Sequence, residues 1–138
     1  MMLRTFAVGK ARITLSTKDC LLRADPVRFL KRLKKGRLDP RLAYVIAVEH
    51  PQLLDANLGV CPACGRKFKS VIGVRKHLRA GGICYTAVAK AIEDSVLKYR
   101  VSMRNIEFKR GHYYTKQCFS KHGTWFSAYD HLRKCLGW

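Results

Sequence analysis

Cysteine and histidine bind soft or borderline cations, and four of them fall at telling intervals in this chain. Cys61 and Cys64 are separated by two residues, His77 follows after twelve more, and Cys84 after a further six. A two-residue gap lets a tight knuckle turn both sulfurs inward, and Gly65 just after it supplies the positive φ that such a knuckle often needs. Thiolate and imidazole complete the tetrahedron that zinc prefers. The pattern C-x2-C-x12-H-x6-C therefore predicts a zinc site built from Cys61, Cys64, His77 and Cys84.

The C-terminal part repeats this plan with substitutions. Cys118 precedes His131 by thirteen residues, the offset that separates Cys64 from His77, and Leu-Arg follows both histidines. Cys135 lies at i+4 from His131, on the same side of a helix. Thr115, a poor metal ligand, stands where the first cysteine would be, and His122 lies four after Cys118. Cys118, His122, His131 and Cys135 are thus the expected second zinc set, with His112 as the substitute for His122. The competing expectation is a metal-free module with a core of Trp125, Phe126 and Tyr129. Cys20 stands alone and reads as a buried small hydrophobe.

Phe68 lies four after Cys64, Val74 six after Phe68, and His77 three after Val74. This spacing resembles the ββα zinc finger of the two-Cys, two-His type, with Val74 for the usual Leu and Cys84 for the last His. The resemblance covers about 24 of the 138 residues. It implies that Phe68 and Val74 form a minimal core whose folding is coupled to metal binding. It also implies a helix that enters the major groove, with side chains at helix positions −1, 3 and 6 meeting successive bases. By matching to His77, those positions are Ser70, Gly73 and Lys76. Lys76 suits guanine, whereas Gly73 has no side chain to offer. Arg66, Lys67, Lys69, Arg75 and Arg79 suit phosphates, which position a protein without reading sequence. The matching positions in the second module are Thr124, Ser127 and Asp130, and the acid at the last weakens groove insertion. That module is expected to brace the fold or bind a protein. Short basic finger proteins of viruses of heat-loving archaea are similar in kind.

The elements that must hold these residues follow from local signals. Residues 2–16 read as a β-hairpin turning at Gly9-Lys10. Asp25-Pro26 opens a helix that Gly36 stops, and Asp39-Pro40 opens a second that ends before His50-Pro51. The second is apolar all round from Leu42 to Val48, as a core helix would be. On the first, Arg28, Lys31, Arg32 and Lys35 fall at i, i+3, i+4 and i+7. They form a phosphate-contacting ridge, while Phe29, Leu30 and Leu33 face the core. Val88, Ile92, Val96 and Tyr99 predict a helix over 85–99, with Asp94 and Lys98 as an i, i+4 pair. Residues 100–109 read as a strand, and 111–138 as an aromatic-rich module. The expected fold class is α+β: a small zinc-stabilised protein with an N-terminal hairpin, helices and one or two ββα-like modules packed together. The corresponding parts are 1–58, 59–84, 85–109 and 110–138.

Charge narrows the partner. Lys and Arg number 28 against 9 Asp and Glu, a net charge of +19, and residues 56–92 carry no acid. A folded chain with this excess repels itself unless a polyanion neutralises it. Hydrophobic content of 48% favours a packed core over a disordered tail. No apolar run approaches the roughly 18 residues of a membrane span, and neither an export signal nor a long basic amphipathic helix is apparent. These features predict an intracellular protein with reduced thiols, zinc as cofactor and no membrane partner. Nucleic acid is the expected partner, DNA ahead of RNA. An RNA-binding or ribosome-associated role and a protein-interaction adaptor are the alternatives, with a second copy of the chain or another protein as the remaining partner class. The nine acids are scattered, so the carboxylate cluster of a metal-dependent nuclease is not seen and no catalytic residue is expected.

Overall fold

The computed structural model describes residues 3–8, 11–16 and 25–138, and for 3–8 and 11–16 the backbone alone. The chain forms two compact units, one of residues 21–96 and one of residues 1–20 with 97–138. The first is helical, the second combines helix and strand, and the class is α+β.

Strands β1 (Leu3–Val8) and β2 (Ala11–Ser16) pair antiparallel, with Val8 opposite Ala11, in the hairpin that the sequence predicts. Its turn residues, Gly9 and Lys10, lie outside the described residues, as does Cys20.

In the unit of residues 21–96, the two Asp-Pro signals behave as their chemistry requires. Helix α1 (Pro26–Lys34) is capped by Asp25, whose carboxylate accepts from the backbone N–H groups of Val27 at 3.1 Å and Arg28 at 3.2 Å. Helix α2 (Pro40–Glu49) is capped by Asp39, which accepts from Arg41 N–H at 2.8 Å. Only Val45 and Ile46 of α2 are fully buried, so it is a half-buried helix and not the core helix expected from its composition. A 3-10 helix (Pro51–Leu58) follows and ends at Gly59, whose φ is +82°. Helix α3 (Val71–Arg79) starts at Ser70, whose hydroxyl accepts from Ile72 N–H at 3.2 Å. Phe29 and Leu30 of α1, Ile46, Leu53, Val71, Val74, Leu78, Val88 and Ile92 meet in one core.

Helix α4 (Ile83–Asn105) is longer than expected, and residues 100–105, read as strand from the sequence, belong to it. Val101 is buried one turn after buried Leu97, which keeps the apolar stripe at helical period. Ser102 donates to Lys98 O at 2.8 Å and the Asn105 amide to Val101 O at 2.8 Å, so both polar side chains are satisfied within the helix. The unit boundary falls inside α4, between Val96 and Leu97. Asp94 meets His50 at 2.7 Å, a contact invisible to helical spacing.

In the other unit, β3 (Ile106–Lys109), β4 (His112–Thr115) and β5 (Ser120–His122) form an antiparallel sheet in that order. Helix α5 (Trp125–Leu136), capped by the Thr124 hydroxyl, packs on this sheet. Trp125, Ala128, Tyr129, Leu132 and Leu136 supply its buried face, with Trp125 and Tyr129 stacked at 5.5 Å. The chain thus runs β3-β4-β5-α5 through this module.

Candidate metal centre and basic surface

The knuckle forms because the chain reverses twice in a few residues. Arg66 O accepts from Cys61 N–H at 2.9 Å, and Cys61 O accepts from Gly65 N–H at 2.9 Å, where Gly65 has φ +75°. A single antiparallel bridge, Val60 with Lys67, is all the β structure that this segment holds. Phe68 N–H donates to Gly59 O at 2.7 Å, which carries the chain into α3. Gly59 is required there: a Cβ would lie 2.6 Å from Phe68 O.

One ligating atom from each of Cys61, Cys64, His77 and Cys84 lies within 4.8 Å of all the others. Cys64 Sγ and His77 Nε2 are 3.6 Å apart. Zinc bonded to sulfur at about 2.3 Å and to nitrogen at about 2.0 Å in a tetrahedron would set those two atoms about 3.5 Å apart. The donor set fits zinc in both chemistry and spacing. Three elements supply it: the knuckle gives two sulfurs, α3 gives His77, and the first turn of α4 gives Cys84.

The thiols differ in acidity. The Arg66 backbone N–H holds the Cys64 thiol below its ordinary value, and Cys61 adds to the effect. Desolvation, then the neighbouring Cys64, pushes Cys84 up to about 11. Three thiolates this close repel one another, and a divalent cation among them removes that penalty.

Phe68 and Val74 sit as the finger spacing implies. Val74 is fully buried, and the Phe68 ring packs beside the His77 ring at a centroid distance of 5.2 Å. Gly73, weak as a base-reading residue, has a packing role that the spacing did not reveal: a Cβ there would lie 2.8 Å from Phe68 Cβ. A glycine inside a helical pattern is the one sequence signal for such an approach.

Lys67, Lys69, Lys76 and Arg79 are exposed. Arg66 is exposed too, with its guanidinium 5.4 Å from the Phe68 ring centre. Arg75 is half-buried, and its Nε is enclosed without a hydrogen-bond partner. Ser70 spends its hydroxyl on the α3 cap, which leaves Lys76 as the long polar side chain at the three base-facing positions. Arg28, Lys31, Arg32 and Lys35 are all exposed, with Lys35 at the C-cap just past α1.

The second expected ligand set has another arrangement. Cys118 and Cys135 are joined to each other as a disulfide, so neither presents a thiolate and the expectation of reduced thiols does not hold for this pair. The His122 and His131 rings stand 5.2 Å apart. His122 bonds through Nε2 to Ser120 Oγ at 2.7 Å and through Nδ1 to Ser127 Oγ at 2.9 Å, which occupies both ring nitrogens. Burial, then His131, holds the His122 pKa below its ordinary value. His112 lies on β4 with Nδ1 3.3 Å from Arg110 O. Among the described residues, Cys61, Cys64, His77 and Cys84 are the group arranged to hold a metal, and no helix is long and apolar enough to cross a membrane.

No family model, curated protein or solved structure matches the chain.

Proposed function

We propose that this chain is a zinc-dependent nucleic-acid-binding protein of the ββα-finger kind, that its target is double-stranded DNA, and that it serves transcription regulation. One observation carries the reading. The Cys61–Cys64–His77–Cys84 cluster clamps a segment whose exposed side chains include Lys67, Lys69, Lys76 and Arg79, and no carboxylate lies between residues 56 and 92 to neutralise them.

Zinc supplies a cross-link among three short elements. Val71, Val74 and Leu78 already seat α3 in the core, and the metal ties the knuckle and Cys84 to it, which sets where the cations around the knuckle stand. Lys76 meets a base edge, and Arg66, Lys67, Lys69 and Arg79 meet phosphates. The exposed ridge of Arg28, Lys31, Arg32 and Lys35 adds further phosphate contacts. With one strong base contact, affinity comes mainly from charge and sequence preference is slight.

Fluorescence anisotropy with a labelled duplex over a salt series tests this reading. Affinity should fall steeply and linearly on logarithmic axes as salt rises. Alanine at Lys67, Lys69 or Arg79 should each lower that slope by about 1. Structured RNA should compete less well than duplex DNA. Salt-insensitive binding, or equal binding after chelation, overturns the proposal.

A further inference from the structure

We infer that the solvent face of the β3–β4–β5 sheet is a binding site for an unpaired nucleotide. This rests on the nucleic-acid reading above but uses none of the residues assigned there. An open cleft of about 740 Å³ is lined by Glu107, Lys109, Arg110, Tyr114, Thr115, Lys116 and Phe119. That volume is within the range of small-molecule sites and large enough for a nucleotide. Strand register pairs Glu107 with Tyr114 and Lys109 with His112, and the pleat puts Glu107, Lys109 and Tyr114 on one face. The buried pair of Ile106 and Thr115 alternates with these along the strands, on the α5 side, and Thr115 closes the end of the cleft next to Lys116.

Phe119 is 91% exposed, so its ring gains nothing from burial. It also has φ +53°, a conformation that costs a bulky L-residue energy. Arg110 on the same cleft has φ +52°. The turn that presents Phe119 is nevertheless well fixed. Its N–H donates to Thr115 O at 2.8 Å, Ser120 N–H donates to Thr115 Oγ1 at 3.1 Å, and the two hydroxyls meet at 2.6 Å. A strained, firmly held and fully offered aromatic ring is placed for an outside partner.

The lining names the partner's chemistry. Three cations stand against one carboxylate, which favours a ligand with negative charge. Glu107, 3.6 Å from Lys109, would repel a lone phosphate but accepts from the amino or imino N–H of a base. Lysine is depleted at protein interfaces, which argues against a protein here. A base stacked on Phe119, with its flanking phosphates on Arg110 and Lys116, satisfies every group. Bases within a duplex keep their faces stacked on one another, so the site selects single-stranded segments.

The full zinc-loaded chain is tested by anisotropy and base fluorescence with single strands of about ten nucleotides. RNA and DNA versions each carry a fluorescent adenine analogue, and a blunt duplex of the same sequence is the comparison. Both single strands should bind with quenching of the analogue. Phe119→Ala should weaken them about tenfold and abolish the quench, with duplex affinity unchanged. Phe119→Asn, at ease in left-handed backbone, should do the same, and Phe119→Trp should restore both signals. Tighter binding of the RNA arm would show that the 2′-hydroxyl is read, and equal arms that base and phosphate suffice; either supports the site. Unchanged single-strand binding and quench in Phe119→Ala overturns the inference while duplex binding keeps the main reading. Phe119-dependent single-strand binding without duplex binding overturns the main reading and keeps this one. Absence of both overturns both.

Discussion

Gly73 and Phe68 touch so closely that the helix has no room for a side chain: a Cβ on Gly73 would come within 2.8 Å of Phe68 Cβ. The obstructing atom is next to the backbone and cannot swing away. Gly73→Ala gains roughly 1 kcal/mol of helix propensity but forces an overpacking shift of typically 1–3 kcal/mol. The expected outcome is a net loss of stability and weaker zinc affinity, read by urea unfolding and competition with a chelator.

Cys84 reaches the cluster from α4, a different helix from His77. Cys84→Ser should therefore loosen the centre without removing the knuckle. Native mass spectrometry should count one zinc on the parent chain and none on the variant at micromolar chelator. Hydrogen exchange across residues 61–79 should rise sharply on chelation, because metal binding and local folding are one equilibrium.

The Cys118–Cys135 disulfide closes a sequence separation of 17 residues. Loop entropy for such a link gives about 3 kcal/mol of stabilisation. The double substitution Cys118→Ser, Cys135→Ser should lower unfolding stability by about that amount. In the parent chain, alkylation under denaturing, non-reducing conditions should leave both cysteines unmodified.

His122 is held below its ordinary pKa, first by burial and then by His131. The unfolded chain therefore takes up a proton at higher pH than the folded one does. His122 contributes its stability in full above about pH 6.5, the unfolded value. That contribution is lost as pH falls from there through the lower folded value. Thermal unfolding between pH 7 and 5 should show a smaller decline in His122→Gln than in the parent.

Much of this architecture is legible from short-range chemistry. Asp25-Pro26 and Asp39-Pro40 specify helix starts because a carboxylate cap and a fixed proline φ act within a few residues. Cys61, Cys64, His77 and Cys84 could be picked out by interval alone, since a tetrahedral ion tolerates few spacings. The hairpin and the exposed stripe of α1 followed from period and turn chemistry.

Other features depend on which groups meet across the chain, and no local pattern encodes that. Residues 100–105 look like strand in isolation, but burial of Val101 along the Leu97 face keeps them helical. Cys118 and Cys135 have metal-ligand spacing, yet tertiary packing brings their sulfurs to each other. Asp94 reaches His50, forty-four residues away in sequence, because α4 lies within hydrogen-bonding distance of the start of the 3-10 helix. Sequence by itself determined the ligand types, the helix caps and the excess of positive charge, which need no long-range contact to be read. Tertiary structure alone decided the disulfide, the Gly73–Phe68 contact and the cleft beside Phe119, because each joins atoms whose distance is set by packing.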